Sequence, residues 1–202
     1  MVMDGPIGSG IRLTVLDDPD HKRLRSLVRS SLTARAVEAW RPRIRDVVSR
    51  VLAGIDGGEF DLIAAFAGPV PTVVIAEMLG IDPAMHGAFK RRSDTSVRVA
   101  FNPFPAEAEG ERLSVSLASA NRDPAVYPDP NAFDIERVDV HHHAFGGGRH
   151  HRHGARLARV EAQEAILGLL RKFSRPELSP RGSAYGQVPS FRGLRYCWVR
   201  AT

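Results

Sequence analysis

The chain has 202 residues, 43% hydrophobic and 25% charged, the balance of a globular domain able to bury a core. No apolar run reaches the roughly 18 residues a membrane span needs, and the opening Met1-Val2-Met3-Asp4-Gly5-Pro6 has no basic stretch leading into an apolar one, which reads against a secretory signal. The net charge of +5 is spread along the chain without a zinc-finger, RNA-binding or phosphate-loop pattern, which reads against nucleic acid as a partner, and the single cysteine, Cys197, has no internal disulfide partner, which fits a reducing cytoplasm.

Residues 1–16 read as a loop rich in glycine. Asp18-Pro19 is an acidic cap followed by a helix-starting proline, and the helix it opens carries His21, Leu24, Arg25, Leu27 and Val28. Thr33 caps the next segment. Pro42 is expected to part a short helix from a longer one, in which Ile44, Val47, Val48, Val51 and Leu52 keep helical spacing up to Gly54. Two helical pieces are expected over 59–80, broken by Pro69 and Pro71 and stopped by Gly80. Asp82-Pro83 opens a further helix to about Ala100, which Asn102-Pro103-Phe104-Pro105 breaks. Val115 and Leu117 read as a strand. The stretch from Asp123 to Gly154 reads as mostly loop. Residues 155–173 read as a helix with Leu157, Val160, Ile166, Leu167 and Leu170 inward, and Val188, Leu194, Tyr196, Trp198 and Val199 suggest one or two strands near the end.

Four stretches carry chemistry or a recognisable order. Asp18-Pro19-Asp20-His21-Lys22-Arg23-Leu24-Arg25 places His21 and Arg25 four apart, on one helix face, where both can meet carboxylates. Phe60-Asp61-Leu62-Ile63 through Glu77-Met78-Leu79-Gly80 is a packing pattern. Ser119-Ala120-Asn121-Arg122-Asp123-Pro124 is followed by Tyr127-Pro128-Asp129-Pro130 and Phe133-Asp134. The last stretch is Phe145-Gly146-Gly147-Gly148-Arg149-His150-His151-Arg152-His153-Gly154, running into Ala155-Arg156-Leu157-Ala158-Arg159. In this order they resemble the bacterial members of the cytochrome P450 (haem-thiolate monooxygenase) family. The last matches the family's F-G-x-G-x-H-x-C-x-G pattern at Phe145, Gly148 and His150. By this resemblance the fold is mainly α, a truncated P450-like helical domain with a few short β-strands. The cofactor is haem b, with His21, Arg25 and His150 on its propionates. The partners are a small organic substrate and a ferredoxin-type electron donor.

At the thiolate position stands Arg152. A guanidinium is cationic and has no useful lone pair, so it cannot supply the electron push that a cysteine thiolate gives to haem iron. The resemblance also implies losses elsewhere: the oxygen-activating helix and the E-x-x-R helix belong where residues 104–112 form a short joint. Glu109 and Arg112 have the E-x-x-R spacing but stand too close to Ser119-Ala120-Asn121 to match it. The family's first helices and sheet strands, which would stand before residue 1, are likewise read as missing. The chain thus divides into a helical part (1–103), the joint (104–112) and a part holding the meander, the glycine-rich loop, the following helix and the last strands (113–202), read together as one domain. No catalytic residue is assigned, and monooxygenase competence is not expected.

Three other readings stay open. His151 or His153 could ligate iron through imidazole. His141, His142, His143, His150, His151 and His153 could bind zinc, copper or nickel, although no cysteine or carboxylate completes a recognised four-ligand pattern. Or the chain is a non-enzymatic remnant or interaction module, whose apolar faces, left uncovered by the missing helix, favour self-association.

Overall fold

The computed structural model describes residues 16–100, 116–138, 141–186 and 192–202, with side chains in 95–100 left aside. The joint at 104–112, Val115 and Val188 therefore lie outside the described residues. Two compact units interleave along the chain: residues 1–33 with 109–156, and residues 34–108 with 157–202.

The first unit holds α1 (Asp20–Arg29), a short helix α2 (Leu117–Ala120), irregular backbone over 121–138 and 141–147, and a 3-10 turn at Gly148–His150. Pro19 occupies the cap position of α1, without a side-chain cap; the backbone carbonyl of Asp17 accepts from His21 instead. Leu117 is helical, not in a strand. Ser116 explains this: its hydroxyl accepts the amide N–H of Ser119 at 3.3 Å, and such local bonding turns the backbone into a helix start.

The second unit is built on α3 (Ala34–Ala53), followed by β1 (Gly58–Asp61), a π-turn (Ile63–Ala67), α4 (Pro69–Met78), α5 (His86–Ala100), most of α6 (Ala155–Lys172), β2 (Glu177–Tyr185) and β3 (Leu194–Ala201). Pro42 does not part α3, which runs unbroken through it. A proline inside a helix costs about 3 kcal/mol. Val37, Ile44, Val47, Val48 and Leu52 are all buried on this helix, and each such side chain contributes roughly 1.5–3 kcal/mol on burial, so packing outweighs the break.

The helical pieces expected over 59–80 are likewise revised. Gly58–Asp61 is the edge strand of an antiparallel sheet ordered β1-β3-β2, with Gly58 opposite Ala201 and Asp61 opposite Trp198. Pro69 begins α4 rather than breaking a helix. Before it, the amide of Gly68 donates to the carbonyl of Ile63 at 2.9 Å, one residue wider than an α-turn. A Cβ on Gly68 would stand 2.9 Å from that carbonyl, so a side chain there would collide with the turn.

The last helix corrects the expectation about which face is inward. Leu157 and Val160 are buried, but Ile166, Leu167 and Leu170 are 59%, 45% and 55% exposed. The packed stripe of α6 continues instead through Glu164 and Gly168, at the three- and four-residue spacing of one helix face. A Cβ on Gly168 would lie 2.5 Å from Val48 Cγ1 and 3.2 Å from Leu52 Cδ1. Gly168→Val should therefore lower stability by about 1–3 kcal/mol, because the added side chain would overlap the buried, β-branched Val48, whose χ1 is stiff. Chemical denaturation measures it; an unchanged midpoint would show that the α3–α6 contact is slack.

Candidate functional site

The glycine-rich loop is closed on itself and tied to α1. The amide of Arg152 donates to the carbonyl of Phe145 at 2.9 Å, and the amide of His151 to Gly148 at 3.2 Å. Gly148 sits at φ +55°, a conformation that favours glycine. Arg25 reaches across from α1 and donates to the carbonyls of Arg149 at 2.6 Å and His151 at 3.0 Å. One turn earlier, His21 is buried to 3% exposure and its ring lies 4.6 Å from that of His150, tilted by 34°. The structure thus brings His21 beside His150, and Arg25 onto the loop backbone that flanks it. Arg25 gives one N–H from each of its two terminal nitrogens to the loop backbone, at Arg149 and His151.

Beside this contact is a pocket of about 440 Å³ whose charged walls are all cationic: Lys22, Arg25, Arg29, Arg152 and Arg156, with His151 and His153 among the remaining lining residues. Acidic groups stand outside the lining. Asp18 lies 3.7 Å from His21 and 3.9 Å from Arg149, and Asp20 lies 3.5 Å from Arg23. A cavity with this wall attracts an anion, and guanidinium groups present paired donors that suit carboxylate or phosphate oxygens. Sequence reasoning found Arg25 and Arg152 here but passed over Lys22, Arg29 and Arg156. The helical spacing of Lys22, Arg25 and Arg29 on one face of α1 was the signal available.

His153 differs from its neighbours. Its Nε2 is buried and has no hydrogen-bond partner. Burial first, then the charges of Arg25, His21 and His151, hold its ring below the usual imidazole range. His151 is exposed. The segment 141–143 is held through its backbone at His141 and His143 and through one ring, that of His142. The carbonyl of His141 accepts from the Tyr127 hydroxyl, the amide of His143 donates to Asn121 Oδ1 at 2.7 Å, and His142 Nδ1 accepts from the amide of Ala144 at 3.3 Å. Among the described residues no three histidine, cysteine, aspartate or glutamate side chains are placed to hold one metal ion. Cys197 is buried on β3, in the other unit, where its amide donates to Asp61 Oδ1 at 3.0 Å. It is not among the residues that line the cationic pocket.

A helical chain with a small antiparallel sheet, and a glycine-rich loop leading into a long helix, has the cytochrome P450 fold. The crystal structure of HmtT, a protein involved in himastatin biosynthesis, matches it with a TM-score of 0.80 at 20% identity, over 99% of this chain and 84% of that one. The chain belongs to the cytochrome P450 family, whose model matches residues 69–182, more than half its length. Cytochrome P450(MEG) of Priestia megaterium is 34% identical over 109 residues, which cover 54% of this chain and only 26% of that protein. Cytochrome P450 107B1 of Saccharopolyspora erythraea is 27% identical over 306 positions, covering 91% of this chain and 76% of that protein. Those 306 positions exceed the chain's own 202 residues, so this relative carries internal sequence that the chain lacks. Among the described residues no helix is long and apolar enough to cross a membrane.

The family implies haem, and the residues present fit that group only in part. The cationic wall at Arg25 suits the carboxylates at the haem edge. The loop position that would give a thiolate gives Arg152, and the one cysteine stands on β3. The donor set therefore does not fit a thiolate-ligated iron.

Proposed function

We propose that this chain is a P450-family protein that keeps an anion-binding wall for the carboxylate edge of a haem-like ligand but lacks the family's monooxygenase chemistry. The observation that supports the reading is Arg152, a cation among cations in the pocket wall, which by resemblance stands at the family's thiolate position. The cationic wall favours the propionates by opposite charge. Arg152, in that same wall, is unfavourable to a ferric ion and offers no lone pair to it. On this reading a small organic substrate and a ferredoxin-type donor, which a working P450 would use, have no oxygen chemistry to serve.

A second reading rests on His153. A buried imidazole nitrogen without a partner, in a ring biased toward its neutral form, is a donor available to iron. One experiment separates the two readings: titrate haem into the wild type, Arg152→Cys and His153→Ala, then add carbon monoxide to the reduced samples. The expected result is no red-shifted, thiolate-type Soret band in the wild type and the appearance of one in Arg152→Cys. A thiolate-type band in the wild type would overturn the proposal. An imidazole-type spectrum that His153→Ala abolishes would replace its first form with the second.

A further inference from the structure

The second unit contains a cavity of its own, with chemistry unlike the cationic pocket. It measures about 330 Å³ and lies between α6 on one side and the π-turn with α4 on the other. Its walls are almost wholly apolar, with Leu62, Phe66, Val70, Ile166 and Leu169 prominent. The one charged side chain among the lining residues is Glu161. The Oε1 atom of Glu161 is buried and has no hydrogen-bond partner.

That orphan is unusual within this unit. Asp61 accepts the amides of Ile63 and Cys197, each at 3.0 Å. Glu77 pairs with Arg43 at 2.7 Å and Arg50 at 2.7 Å. Glu164, three residues along α6, pairs with Arg41 at 2.9 Å and Arg45 at 3.0 Å. Buried carboxyls without partners are expensive, by about 1–3 kcal/mol or more, and native structures contain few of them. A cavity of a few hundred Å³, apolar with one well-placed polar group, has the make-up of a small-molecule site. The polar group dictates the complementary ligand. A hydrocarbon would leave Oε1 unsatisfied, and a carboxylic acid would set like against like. An ammonium on an apolar body satisfies both the walls and the acid.

We propose that this cavity is a binding site for a small apolar amine. The hydrocarbon body lies against Phe66, Val70 and Leu169, and the ammonium donates to Glu161 Oε1. The site is separate in residues and in ligand charge from the cationic pocket, and it stands whether or not haem binds there. Burial pushes the Glu161 carboxyl up to about 7. The amine therefore meets an ionised partner at mildly alkaline pH, where its own nitrogen is still protonated.

The test uses the full chain and three matched fluorescent probes, naphthylethylamine, naphthylethanol and ethylnaphthalene, titrated at mildly alkaline pH. The amine is expected to bind saturably and most tightly. Glu161→Gln keeps the side-chain shape and should weaken the amine by roughly ten- to a hundred-fold, the usual loss for a hydrogen bond to a charged group, while leaving the alcohol nearly unchanged. Ala165→Phe, which fills the cavity from α6, should abolish binding of all three. No saturable amine binding to the wild type, equal affinity for amine and hydrocarbon, or a Glu161→Gln variant that still prefers the amine would each overturn the proposal.

Discussion

Replacing Arg41 and Arg45 together with methionine should destabilise the protein by about 3–5 kcal/mol at neutral pH, the loss seen when a buried charge is stripped of its partners. Both arginines project from α3 onto one acid of α6. Arg45 donates to Glu164 from Nε at 3.0 Å and from Nη2 at 3.2 Å, and Arg41 donates from Nη1 at 2.9 Å. Glu164 is only 4% exposed. The hydrogen bond from Arg45, helped by that from Arg41, holds its carboxyl below the usual range against the opposing effect of burial. Its contribution is therefore present above the unfolded carboxylate range and is lost as pH falls through the lowered folded value. The double variant leaves the carboxylate in the interface with no cation, so it must protonate or open a path to water. Adding Glu164→Leu should restore most of the loss, since replacing the whole ionic set with apolar side chains is often neutral or better. Urea denaturation of the two- and three-substitution variants decides the matter. If the double variant is as stable as the wild type, Glu164 is reached by water and the network is ornamental to the α3–α6 contact.

That network also shows where the sequence was legible and where it was not. The cap at Ser116, the run of α3 past Pro42 and the strand at Gly58–Asp61 escaped local reading for separate reasons. Ser116 acts through a side-chain bond. Pro42 is overridden by five buried apolar side chains on the same helix. The short strand exists only because β3 lies beside it. The inward face of α6 was misread because apolar residues were assigned to the core by type. The helix packs through Leu157, Val160, Glu164 and Gly168, while Ile166 and Leu167 point elsewhere. Only the partner helix, with arginines placed to meet Glu164 and valine placed to meet Gly168, makes a charged and a bare position the buried ones. By contrast, the shared helix face of His21 and Arg25 was readable, since four-residue spacing is a local pattern; that His150 lies beside them could come only from the family resemblance. Glu161 left a fainter signal, an acid among Ala158, Ala162 and Ala165 on one side of a helix. A small-residue face of that kind marks space, and the acid marks what the space would take.

Glu161 also predicts how stability should follow pH. Its carboxyl is raised from 4.5 to about 7 by burial alone, with no charged neighbour contributing. Among the described residues that line its cavity, Glu161 is the one charged side chain. A group whose folded value is raised contributes stability that is complete below its unfolded value and is lost as pH climbs through the folded one. Relative to Glu161→Gln, the wild type should therefore lose on the order of 3 kcal/mol between about pH 4.5 and pH 7, and little further above that. His153, held low by burial, works in the opposite sense: its contribution is present above the ordinary imidazole value and is lost as pH falls. It is common to both proteins and cancels in the difference, as does Glu164. Denaturation curves for the two proteins at several pH values, without added amine, give that difference directly. A gap that stays constant across the window would mean that Glu161 is hydrated in the folded protein, and its cavity open to water.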